Sequence, residues 1–353
     1  MLRNILNFLL VMSILAGTSL QAAESGGPDS AGQGLADYLA GLALEYKTEG
    51  DPDYQGAFSL YQTAAKAGSR EAALALARLS EPGGQLGQTP EQWRDYLAAA
   101  SKAGWPEAAF TLAQGLEQGL FNSGGLKPGD YYFQAALAGH PQASRRLGEL
   151  YLQDESQARD ESLGAMWLAV AVGNHDVEAA LALGRLYYQK NPPAARHWLE
   201  KAAAPEASYL LGQLYLSDKR FVEAVSAFTV AADQNYAPAH LALGLINLDN
   251  DFGLRPKARE ALKHFKVAAQ GGLPEGAYQL GHMYLAGQAT PKDTITGAFW
   301  LYRAASGGHR EAMGEYEKLT HNFSVGQKKR LERMIAEGLP ESAQSPESSS
   351  GGE

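Results

Sequence analysis

The stretch Thr296–Met313 reads TGAFWLYRAASGGHREAM. An aromatic pair, two alanines, two glycines, an acid and another alanine return, blurred but aligned, along most of the chain. The loop residue ahead of the acid-alanine pair serves as position 0 of a register. It falls at Gly34, Gly68, Gly104, Gly139, His175, Ala203, Asn235, Gly272 and Gly308, in steps of 28 to 37 residues. A period of that length marks stacked helix pairs, each too small to bury its own apolar face. The shortest step ends at Ala203, where the loop AAAPEA is contracted.

Residue types hold their places within each repeat. Position +4 is small, as at Ala72, Ala108, Ala143, Ala179, Ala207, Ala239, Gly276 and Ala312. Position +8 is Leu76, Leu112, Leu147, Leu183, Leu211, Leu243 or Leu280, and +12 is Tyr151, Tyr187, Tyr215 or Tyr284. Spacings of four make these one stripe of a helix. Between them, +9 is Gly148, Gly184, Gly212, Gly244 or Gly281. Glycine inside a helix costs about 1 kcal/mol relative to alanine. Its recurrence at one register therefore predicts that a neighbouring helix comes close there.

A second helical phrase precedes each anchor. Its apolar markers are Leu60–Tyr61, Tyr96–Leu97, Tyr131–Tyr132, Trp167–Leu168, Trp198–Leu199, Phe228, Phe265 and Trp300–Leu301, with paired alanines one turn later. The aromatic is expected to fill the space between helices and the alanines to admit the neighbour. The glycine or asparagine anchor is expected to end the helix in a left-handed conformation. Glu71, Glu107, Glu178, Glu275 and Glu311 then suit the positive end of the next helix. Prolines in the loops EPGGQLGQTPEQ, NSGGLKPGD and GQATPKD fit first-turn positions.

The 353 residues are 45% hydrophobic and 20% charged, enough for a large core and too little charge for general disorder. A net charge of −9 argues against a nucleic-acid backbone as the main partner. Cysteine is absent, which removes thiol chemistry, thiolate metal sites, disulfides and lipoprotein anchoring. The start, MLRNILNFLLVMSILAGTSLQAAES, has a short positive region, an apolar run from Ile5 to Ala16 and small or polar residues to Ala22. This is the form of a cleaved secretory signal peptide over 1–22. The apolar run is shorter than the ~20 residues of a membrane span. A retained anchor is the other reading of the same stretch. Residues 23–34 read as a flexible entry, 35–320 as the array and 339–353 as a disordered tail. SVGQKKRLERMIAEG, within 321–338, reads as a closing helix opened by a Ser-x-x-Gln capping box.

Chemical motifs are missing. DNDFGLRPKARE places Asp249, Asp251 and Glu260 like calcium-loop ligands, but Gly253 and Leu254 replace a ligand and the turn glycine. The eight histidines lack metal-ligand spacing. No nucleophile elbow, phosphate loop or dinucleotide fingerprint occurs. The expectation is a non-enzyme with no cofactor and no metal site.

The phrase from Glu275 to Met313 resembles the Sel1-like repeat, a relative of the tetratricopeptide repeat. Ala277, Leu280, Gly281, Tyr284, Gly287, Pro291, Lys292, Asp293, Trp300, Ala304 and Ala305 carry the match. The resemblance implies an all-α, right-handed alpha-alpha superhelical solenoid. It would hold about eight helix pairs, a further first helix and the closing helix. It further implies a scaffold that holds protein partners in the bacterial cell envelope, in secretion, envelope assembly or exopolysaccharide export. A glycan-binding or hydrolytic envelope protein and a structural part of a motility or secretion machine are the alternatives. The expected location is periplasmic or secreted.

In solenoids of this kind the first helix of each pair lines the concave face. Carried over by register, position +10 gives Arg78, Gln114, Glu149, Arg185, Gln213 and His282 as groove residues. One turn earlier, +6 gives Leu74, Phe110, Arg145, Leu181, Tyr209 and Tyr278. Tyrosine and arginine are the favoured anchors for a protein partner. Charge reversal at Arg145 and Arg185 is expected to weaken capture and leave folding intact.

Overall fold

The computed structural model describes residues 28–47, 50–153, 160–249 and 256–337. The expected signal peptide, the tail 339–353 and residues 250–255 of the calcium-like loop lie outside the described residues. Among the described residues there are 18 helices and no strand. The chain divides into two compact units, Met1–Asp176 and Val177–Glu353.

The first unit holds α1 (Pro28–Glu45), α2 (Tyr54–Lys66), α3 (Arg70–Leu79), α4 (Pro90–Lys102), α5 (Pro106–Glu117), α6 (Pro128–Leu137), α7 (Ala143–Gln153) and α8 (Glu161–Gly173). The second holds α9 (Val177–Tyr187), α10 (Pro192–Leu199), α11 (Pro205–Ser217), α12 (Phe221–Ala232), α13 (Ala237–Leu248), α14 (Ala258–Gln270), α15 (Pro274–Ala286), α16 (Thr294–Ser306), α17 (Ala312–His321) and α18 (Val325–Glu337). Eight helix pairs, a further first helix and a closing helix are therefore present, and the fold is an all-α solenoid.

The hinges form as their residues require. Gly68, Gly104, Gly139, His175, Asn235, Gly272 and Gly308 all have positive φ, between 57° and 94°. Two anchors depart. Gly34 lies buried inside α1 against Ala67, because that helix starts at Pro28, within the stretch expected to be flexible. Ala203 has no left-handed turn, since α10 spans 8 residues and the shortened loop leads straight into Pro205.

The glycine register is a set of slots. A Cβ added at Gly212 would come within 2.6 Å of Phe228, and one at Gly244 within 2.5 Å of Phe265. At Gly184 it would overlap Leu199, and at Gly148 it would meet Leu168 Cγ at 2.9 Å. Each slot residue belongs to the second helix of the same pair and is almost fully buried. In the first pair the slot glycine is Gly41, which faces Tyr61, so the register there is offset from Gly34.

Which marker is buried differs from expectation in three pairs. Leu97, Leu168 and Leu199 are buried, whereas Tyr96, Trp167 and Trp198 are half-buried beside them. The second residue of each aromatic pair points inward, and the first lies about 100° around the helix, at its edge. Trp300 is the exception, 5% exposed, because the closing helix covers it with Leu331 and Met334 in the same cluster.

Helix starts follow their capping residues. Thr89 and Gln92 form a reciprocal capping box on α4, and Ser324 with Gln327 forms the expected one on α18. Pro90, Pro106, Pro128, Pro192, Pro205 and Pro274 occupy first turns. Pro291 instead precedes α16, and Asp293 caps it by accepting from the Ile295 and Thr296 amides.

Candidate partner-binding rows

First helices stack on first helices, and this separates the two rows expected to share one face. The +6 side chain leans back toward the hinge of its own repeat, as helical side chains do. There it meets position +1 of the following repeat. Phe110 stacks on His140 with ring centroids 4.1 Å apart, and Tyr278 stacks on His309 at 4.0 Å. Tyr209 meets Tyr236 at 5.5 Å, and Arg145 Nε donates to Asp176 at 2.9 Å. Leu74 packs in one cluster with Trp105, and Leu181 packs against the cluster that includes Ala207 of the following repeat. The +6 row ties repeat to repeat. Phe110, 7% exposed, is closed to a partner, and Arg145 is committed to Asp176 and Glu149. Charge reversal at Arg145 would break these pairs, so folding is not expected to be independent of it.

The +10 row stays open. The Arg78, Arg185 and His282 side chains are 48%, 56% and 44% exposed, with Gln114, Glu149 and Gln213 partly so. In the first unit, Arg78 pairs with buried Glu45 at 2.5 Å and donates to the Tyr46 hydroxyl at 2.8 Å. Glu149 accepts from Arg145 and Arg146. In the second unit, Arg185 makes a two-pronged contact with Glu206. Gln213 accepts from Tyr188 and donates to Tyr209. His282 Nε2 lies 2.9 Å from Glu315, which also accepts from Tyr278. Burial and that hydrogen bond push the Tyr278 hydroxyl up to about 12, so it remains a donor at neutral pH.

Two open residues were missed. Leu245 occupies +10 of the Asn235 repeat and is 41% exposed. The register alone could have named it. Tyr46, half exposed beside Arg78, follows α1 and has no counterpart in the repeat. Among the described residues no three His, Asp or Glu side chains are grouped to hold a metal ion.

The family model described as Sel1 repeat matches residues 35–69, 141–172, 177–204, 237–273 and 274–309. The solved Sel1 repeat protein from Oxalobacter formigenes superimposes with a TM-score of 0.68 at 21% identity, covering 88% of this chain and 92% of that one. A protective antigen present in uropathogenic Escherichia coli strains gives 0.67 at 20% identity, over 91% of this chain and 73% of the other. The chain is a Sel1-repeat protein.

Among curated relatives, chitin synthase regulatory factor 3 of Schizosaccharomyces pombe is 29% identical over 274 residues, 68% of this chain and 29% of its own length. An uncharacterised protein of Neisseria meningitidis serogroup B is 26% identical over 181 residues, 50% of this chain and 38% of its own. The chain thus spans about a third of the length of these relatives. The fold is of the kind typical of protein–protein interaction scaffolds.

Proposed function

We propose that this protein is an exported bacterial scaffold that holds a protein partner along the +10 row of its first helices. The observation that carries the reading is the division of labour between rows. The +4, +8 and +9 positions are spent on packing and +6 on joining repeats. Arg78, Gln114, Arg185, Gln213, Leu245 and His282 remain at the surface, mixing arginine, amide and aliphatic groups as protein interfaces do. The three-part leader supports export, and no helix among the described residues is long and apolar enough to cross a membrane. A role in envelope assembly, secretion or exopolysaccharide export fits that location.

A photo-crosslinking residue at Leu245 should capture a discrete protein in intact cells, whereas one at Val230, exposed on a second helix, should not. Capture from Val230 alone, or of polysaccharide in place of protein, would remove the +10 row as the docking face. N-terminal sequencing of the extracytoplasmic protein should start near Ala23.

A further inference from the structure

The second unit shows one way in which the acid that opens a first helix is held. Glu206, at +3, is held by Arg185, the +10 arginine of the repeat before it. The same two positions in the first unit are Arg78 and Glu107. Here the pair does not form. Glu45, 5% exposed and accepting from the Tyr61 hydroxyl at 2.7 Å, draws Arg78 the other way. Glu107 is left in no ion pair, although its charge is felt by His140. Glu71 has only the Ser69 hydroxyl, and Glu81 forms no ion pair either.

These carboxylates rim a cleft of about 400 Å³ between α1, α3, α4 and α5. Leu74, Trp93 and Leu97 contribute its apolar lining, Tyr38 one wall, and Arg78 is the single cation lining it. Three acids face one arginine whose charge is already matched by Glu45. The cleft therefore has an apolar interior, an acidic rim and a missing cation. A long side chain with an aliphatic stem and a positive head satisfies all three conditions.

We infer that this cleft receives an arginine or lysine side chain from a basic peptide segment of the partner, which takes the place that Arg185 fills for Glu206. The inference rests on the scaffold reading and narrows it to one pocket and one chemistry. Uncharged or acidic segments gain nothing from Glu71, Glu81 and Glu107, and burying those acids without a cation is unfavourable.

The probe is a fluorescein-labelled, acetylated and amidated peptide of alanine and leucine with one central arginine. Its control carries citrulline, which keeps the shape and removes the charge. Fluorescence anisotropy with the full folded protein at physiological salt should show the arginine peptide binding about fivefold tighter or better. Glu107→Gln and Glu71→Gln should each erase most of that preference, and Glu317→Gln, an exposed acid of the second unit, should leave it unchanged. Equal binding of both peptides, no binding at millimolar peptide, or equal loss in Glu317→Gln would overturn the inference. Partner capture from Leu245 in cells is read separately. If it persists when the cleft test fails, the scaffold stands and only the pocket assignment falls.

Discussion

The Arg145 guanidinium holds the Asp176 carboxylate at 2.9 Å from the same two register positions at which Phe110 stacks on His140. One repeat uses an ion pair where another uses a ring pair, so position rather than residue type defines the joint. Both partners are largely buried, with side chains 17% and 8% exposed. Arg145→Ala should destabilise the first unit by about 1.5–3 kcal/mol, the range for a charged hydrogen bond removed from a buried partner. Urea unfolding would measure this, and Arg185→Ala, whose side chain is mostly exposed, should cost under about 1 kcal/mol.

The glycine slots make a graded prediction. Alanine at Gly244 must displace Phe265 from 2.5 Å, whereas alanine at Gly281 meets its nearest atom, the Gly297 carbonyl oxygen, at 3.2 Å. Gly244→Ala should lose about 1–3 kcal/mol by overpacking and Gly281→Ala clearly less. Melting curves of the two variants test the order. Because repeats contact only neighbours, the loss should first appear as local opening of its own pair.

Much of this was legible because a repeat shows each rule several times. The hinge glycines, the +9 slots and the count of helix pairs all follow from types recurring at fixed spacing. What stayed hidden depended on direction around a helix. In Trp167–Leu168 the bulkier residue suggests itself as the core filler, yet one step of helix rotation gives that place to Leu168. The +6 and +10 positions likewise sit on one face in a single helix, and only stacking shows that +6 is used up by the next repeat. Glu45 gives no sequence signal, since its burial depends on Tyr61 and Arg78 arriving from two other helices.

The tryptophans separate the two readings of the marker pair. Trp300→Ala should cost about 3–5 kcal/mol, the range for emptying a buried aromatic site. Trp167, half-buried and touching Phe133 edge-on at 5.7 Å, should cost less, while Leu168→Ala should cost about 2–5 kcal/mol. Chemical unfolding of the three variants decides it. A Trp167→Ala loss larger than that of Leu168→Ala would restore the tryptophan as the slot filler.

The second unit contains a joint that should respond to pH. His240 Nε2 donates to the Ala232 carbonyl at 3.1 Å, which leaves its Nδ1 to accept from His264 Nδ1–H at 3.0 Å. That arrangement needs the His240 ring neutral, since a proton on its Nδ1 would place two N–H groups face to face. Burial lowers both pKa values from 6.5, and the His240 ring lowers that of His264 further. Asp233 and Glu260 act in the opposite direction, and Lys263 with the burial. The unfolded chain therefore binds protons more readily than the folded one. The stabilisation is complete above pH 6.5 and is lost as pH falls through the lower folded values. The melting temperature should drop between pH 7.5 and 5. His264→Gln should be less stable at pH 7.5 yet lose less on acidification, because one titrating ring is gone. An identical acid-induced drop in the variant would show that the histidine joint is not the titrating element.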